Sequence, residues 1–216
     1  MHALIRNSRS RAVSESIPAR GAGTDMRESL LNAAFEEILR SGFQAAGLSA
    51  VLRRAGATKG ALYHHFENKD ALGLAVIDER VREEVFDAWL RELEAHRDPV
   101  DALQAGLAAL CDAATEVTVS RGCTLENLST EMSPVSEAFR ERIQGIYRDW
   151  RALVRRALER GIKRGYVAAD VSPADEAMMF VVALQGCTVL AKNERSLETY
   201  RACLGKLAGR LDALRA

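Results

Sequence analysis

GLSAVLRRAGATKGALYHHF, residues 47–66, is the stretch on which the fold turns. Its periodicity predicts a short helix from about Leu48 to Ala55. Gly56-Ala57 forms a turn, and Thr58 caps a further short helix through about Phe66. Two short helices joined by a glycine turn make a helix-turn-helix unit. Its charge is uneven: Arg53, Arg54 and Lys59 are basic, no acid is present, and His64 and His65 stand at its end.

Upstream, Leu30, Leu31, Ala34, Phe35, Ile38 and Leu39 recur at three- and four-residue spacing, which predicts a helix. Thr24 or Asp25 is the expected cap, Glu28 falls early in it, and Ser41-Gly42 ends it. Downstream, Asn68 caps a long helix from Lys69 to about His96. The rest is read as helices too. Asp98-Pro99 opens one to about Thr118, and Arg121-Gly122 breaks it. A short helix spans Thr124 to Met132, and Ser133-Pro134 opens a long one to about Lys163. Ser172-Pro173 starts another to about Asn193, and Ser196 caps the last, to about Leu214. Alternating strand runs with hairpin turns are missing from the sequence, so the predicted fold class is all-α.

The 216 residues carry 30 Lys+Arg and 30 Asp+Glu, a net charge of zero. That excludes nucleic-acid binding by bulk charge and leaves the work to a local patch. The four cysteines, Cys111, Cys123, Cys187 and Cys203, lie far apart with no CxxC spacing. This argues against a zinc site and a disulfide framework, so no metal or cofactor is expected, and it fits reduced thiols in a cytoplasm. No apolar run approaches the roughly 18 residues of a membrane span, so no membrane association is expected. The N-terminus is polar and lacks the apolar core of a secretory signal. Residues 1–24, with four arginines against Glu15, read as a mobile basic arm.

Within the central stretch, Thr58, Lys59 and Gly60 open a helix whose free backbone N–H groups favour phosphate oxygens. A bare Gly60 lets a sugar-phosphate strand come close. Tyr63 and His64 project from the same helix and can reach a phosphate or a base edge. The plainer alternative is a compact three-helix subdomain with a solvated basic face.

Residues 25–77 resemble the TetR family of one-component transcriptional repressors. The matching stretches are LLNAAFEEILRSGF and RRAGATKGALYHHFENKDAL. Ala55 to Lys69 follows the family core Ala-Gly-[Val/Ala]-[Ser/Thr]-Lys-Gly-x-[Leu/Ile]-Tyr-x-[His/Tyr]-Phe-x-x-Lys. One departure is Ala46-Gly47, where the family usually has a Thr pair opening its second helix. A glycine cap is tolerated, but a phosphate contact from a Thr hydroxyl is lost. The resemblance implies a helix-turn-helix DNA-binding domain over 25–71 and a helical ligand-binding and dimerisation domain over 72–216. It implies a homodimer that occupies a palindromic double-stranded operator as a repressor and leaves it on binding a small-molecule inducer. On the matched positions, Thr58, Lys59, Gly60, Ala61, Tyr63, His64 and His65 would face DNA, Lys69 would touch a phosphate, and Leu62 and Phe66 would be core.

The segment from Arg121 to Glu131 is similar to one found in a group of these repressors. Cys123, Asn127 and Glu131 are spaced four apart and share a helix face. A thiol, an amide and a carboxylate there can line a small polar pocket, and Cys123 beside Arg121 at a helix start is a candidate for a lowered pKa. The ordinary explanation is a buried filler and a solvated charge. Trp89, Phe139, Tyr147 and Trp150 are further pocket candidates, as are Phe86 and Phe180, although core packing accounts for such residues as well. The last two helices, 173–193 and 197–214, carry small and apolar positions suited to close contact, and in the family they pair across a two-fold axis. A charge at Leu184 or Leu207 is expected to break that dimer. Two other functions compete: a cysteine-dependent enzyme using Cys123 with His96, and a helical bundle that binds only protein.

Overall fold

Leu30, Leu31, Phe35 and Ile38 face one way along the first helix, α1 (Ala22–Ser41), and all are buried. The computed structural model describes residues 22–216. The expected basic arm therefore lies outside the described residues up to position 21, while Ala22–Thr24 already belong to α1. Neither Thr24 nor Asp25 caps the helix. Asp25 instead falls in the first turn, where the helix dipole favours an acid.

Next come α2 (Leu48–Ala55), α3 (Lys59–His65) and α4 (Lys69–Val76). Their ends follow local chemistry. Gly47 caps α2 without a side-chain bond, and Gly56 ends it in the left-handed region. The Thr58 hydroxyl accepts from Ala61 N at 3.1 Å, and Asn68 Oδ1 accepts from Ala71 N at 2.8 Å. Helix α4 runs into a π-helical turn, Ile77–Val81, and then α5 (Arg82–Ala95). The long helix expected from Lys69 to His96 thus has its predicted extent but contains a turn of wider winding. Three charged residues of that turn are tied down. Asp78 pairs with Arg142, Glu79 with Arg27, and the buried Arg80 with Asn32 and Glu28.

The remaining helices are α6 (Pro99–Ala113), α7 (Glu116–Arg121), α8 (Thr124–Met132), α9 (Glu137–Arg164), α10 (Pro173–Glu194) and α11 (Leu197–Leu211), with a 3₁₀ turn at Asp212–Leu214. Two boundaries depart from expectation. The helix opened by Pro99 stops at Ala113, because Thr115 starts a new one. Thr115 and Thr118 exchange side-chain and backbone bonds in a capping box with threonine in place of the usual Glu or Gln. Helix α9 starts at Glu137, after a turn in which Val135 N and Ser136 N both bond Met132 O. Among the described residues there is no strand, only an isolated bridge between Val167 and Arg215.

The chain forms two compact units. Among the described residues, the first takes those from Ala22 to Glu83 together with Asn127–Ile143, and the second takes Glu84–Glu126 together with Gln144–Ala216. In the first, α1 packs on α2, α3 and α4. In the second, α11 packs on α10 and α6. Trp89, Leu103, Leu107, Trp150, Val154 and Phe180 are buried there.

Helix α10 is the most apolar of the described helices by composition over a window of 18 residues. An 18-residue window of this 22-residue helix reaches a mean hydropathy of 1.4, and the helix is long and apolar enough by length and composition to cross a membrane. Only 28% of that window is buried within the chain. Met178, Met179, Val182, Val189 and Leu190 are all exposed. Leu184 and Leu207, chosen from the sequence as interface positions, are instead buried at 5% and 6% exposure. Both faces of α10 are apolar, so the pattern alone does not reveal which one packs inside.

Candidate nucleic-acid interface and sensing site

Helix α3 is anchored by its apolar side. Leu62 is fully buried and Phe66 nearly so, the core positions expected of them. That leaves Thr58, Lys59, Gly60, Tyr63 and His64 exposed, with Ala61 and His65 half-buried. Tyr63 keeps 45% of its surface, a large value for an aromatic side chain, and Lys59 Nζ lies 5.8 Å from its ring centroid. His64 and His65 meet edge to face at 5.0 Å. Arg53 and Arg54 are exposed on the last turn of α2. The face therefore offers cations, a hydroxyl, a phenol and two imidazoles, with no acid within residues 47–66.

Lys69 is half-buried and engaged. Its Nζ donates to Gln44 O at 2.9 Å and sits 4.9 Å from the Phe43 ring centroid. Gln44 has no sequence signal that marks it as a partner.

The pocket candidates divide between the two units. Asn127, Glu131 and Phe139 belong to the first. Glu131 Oε2 accepts from Phe43 N at 2.8 Å, and Oε1 accepts from Gln44 N at 2.7 Å. Phe139 packs against Phe43 with ring centroids 4.6 Å apart and planes tilted by 51°. Cys123, Trp89, Tyr147 and Trp150 belong to the second. There Trp89 packs against Trp150 at 6.1 Å and edge-on against Phe180 at 5.2 Å. Trp150 Nε1 and Thr124 Oγ1 are buried in this unit without a hydrogen-bond partner among the described residues.

Cys123 sits immediately before α8. Backbone N–H groups of Glu126 and Leu125 bond its sulfur, and Gln185 Nε2 donates to it at 3.7 Å. Burial, reinforced by the carboxylate of the buried Glu84, pushes its thiol up to about 11. That is the reverse of the lowered pKa entertained from its position beside Arg121. A thiol raised in this way is held in its protonated form at neutral pH. His96, the base an enzyme would need, turns Nδ1 to Glu92 O at 3.0 Å. Cys123→Ser, which keeps a cap acceptor, is expected to change stability by less than about 1 kcal/mol, and Cys123→Ala to cost about 1 kcal/mol. Denaturant titration of the two variants checks the order.

Comparison with known proteins bears on both halves. Residues 30–76 match the family described as bacterial regulatory proteins, tetR family, and residues 99–205 match the tetracyclin repressor-like C-terminal domain. The HTH-type transcriptional repressor NemR of Escherichia coli (strain K12) is 31% identical over 180 residues, 81% of this chain and 87% of that protein. The HTH-type transcriptional repressor DhaR of Mycobacterium sp. (strain GP1) is 28% identical, covering 82% of this chain and 87% of its own. The crystal structure of reduced E. coli NemR superposes with a TM-score of 0.76 at 26% identity, over 88% of this chain and 97% of that one. A regulator from Cytophaga hutchinsonii reaches 0.81 at 17% identity, over 92% and 99%, a likeness of fold.

Proposed function

The chain belongs to the TetR family of bacterial transcriptional regulators, and from that premise we propose that it is a homodimeric repressor that releases a palindromic operator when a small molecule binds. The observation that carries the DNA half is the exposed, acid-free face of α2 and α3. Thr58, Lys59, Gly60, Ala61, Tyr63, His64, His65 and Lys69 are the contacting residues in this proposal. Non-enzymatic action in the cytoplasm goes with it, supported by the regulator relatives and the four free thiols.

Binding is tested on duplexes selected by the wild-type chain from a random pool. Tyr63→Ala and Lys69→Ala should weaken every selected sequence alike, and Lys69→Ala should also reduce the salt slope by about one. His64→Ala should instead alter preference at one or two base pairs, by about 1–3 kcal/mol. An unselective chain, with no duplex enriched, would leave the protein-binding bundle as the better account.

Dimerisation is assigned to α10 and α11. Support comes from the exposed Met178, Val182, Val189 and Leu190 on α10 and from a groove lined by Ala183, Cys187, Cys203 and Leu207. A two-fold dimer matches a two-fold operator.

The sensing site is assigned within the second unit, around Trp89, Trp150, Phe180 and Thr124, with Cys123 and Tyr147 as further members. A buried indole N–H can only donate, and it costs stability while unpaired. It calls for an acceptor oxygen set in an apolar or unsaturated frame, so small carbonyl compounds are the class to screen. Quenching of tryptophan fluorescence detects binding, and Trp150→Phe should abolish it while DNA affinity without ligand stays unchanged.

A further inference from the structure

In the first unit, a residue far along the chain reaches back to the turn that precedes the helix-turn-helix. Glu131 uses both carboxylate oxygens on consecutive backbone donors, Phe43 N and Gln44 N, at 2.8 and 2.7 Å. The turn is shaped to receive it. Gly42 adopts φ +79°, and a Cβ there would lie 2.8 Å from Glu131 Oε2. The backbone conformation favours glycine, and a Cβ there would push the carboxylate out of its present position. Ala46 N closes the turn on Gly42 O at 3.1 Å. On its other side the same turn holds Lys69, through Gln44 O and the Phe43 ring. Phe43 is buried between Gly73 and Phe139, so the platform has little freedom of its own.

We propose that Glu131 is a positioning residue for DNA binding: by fixing residues 42–44 it sets where the Lys69 ammonium stands, and its withdrawal from Phe43 N and Gln44 N lowers operator affinity. This rests on Lys69 contacting DNA. Two consecutive N–H groups on one carboxylate form a charge-assisted pair, which an amide side chain cannot reproduce because its nitrogen only donates. Any event that moves α8 by an ångström or two lengthens both bonds beyond hydrogen-bond range. The regulated quantity is then the order of the 42–46 turn.

The test is a double-mutant cycle on the full chain, with Glu131→Gln, Lys69→Met and the double variant titrated against the duplex selected by wild type. Glu131→Gln should weaken binding about tenfold. Hydrogen exchange at Phe43 and Gln44 should quicken at the same time. In the Lys69→Met background the same change should have little further effect on affinity, since the two act in series. Full additivity, or unchanged affinity in Glu131→Gln, overturns the proposal. Should Lys69→Met alone leave affinity and salt slope untouched, the failure lies in the DNA reading of Lys69 instead. Glu131→Asp keeps the charge and shortens the reach by one carbon. It is read the same way if Glu131→Gln does not fold, with intermediate exchange expected and wild-type exchange and affinity counting against the proposal.

Discussion

A chain carrying Val182→Glu and Leu190→Glu will sediment as a monomer and bind its selected duplex about 10²–10⁴-fold more weakly than wild type. Both residues are exposed, at 58% and 46%, so the substitutions put no charge into the chain's own core. In a two-fold interface each is met by the same surface of the other copy, and a single pair of changes places four carboxylates in an apolar contact. Their desolvation is not repaid. Each half-site alone retains the contacts of one helix-turn-helix, and the loss is that of simultaneous engagement. Sedimentation and DNA titration on the same preparation check both parts. A variant that remains dimeric moves the interface away from α10. Leu184→Glu does not serve the purpose, since a charge at that buried position attacks folding first.

The second large effect is on stability. Phe139→Ala should cost about 3–5 kcal/mol, seen as a lowered denaturant midpoint. The ring is 1% exposed, packs at a tilt against Phe43, and reaches to 2.9 Å from where a Cβ on Gly73 would stand. Had this side chain served chiefly to line a sensing site, its loss would lower ligand affinity and leave the midpoint nearly unmoved. The two outcomes separate cleanly because no ligand is needed for the first.

Much of the fold was legible because it is written in neighbours. Thr58, Asn68, Asp98 and Ser196 all form the local side-chain caps that their positions predict. The apolar spacing of α1 marks the same residues that are buried. The Thr115 cap lacks the usual sequence sign, because its box closes with Thr118 rather than an acid or amide. What could not be read is long-range. Glu131 shares a helical spacing with Cys123, but its partners lie 87 and 88 residues away. Gln185 meets Cys123 across 62 residues. Arg80 and Glu84 left a trace: they interrupt the stripe Val76, Ile77, Val81, Val85 at positions where a buried apolar side chain belongs. Charges in such places signal paired or polar interiors, and sequence periodicity alone does not name the partner.

The first unit is assembled from two separated stretches of chain, and this bears on how portable it is. Recombination that exchanges reading heads between relatives by a single crossover near Glu83 would leave Asn127–Ile143 behind. The transplanted head would then meet a foreign residue where Glu131 receives Phe43 N and Gln44 N, and a foreign side chain where Phe139 covers Phe43. A working chimaera must carry both stretches together. On the proposed reading by α3, operator preference is therefore inherited as a unit with sequence more than sixty positions downstream.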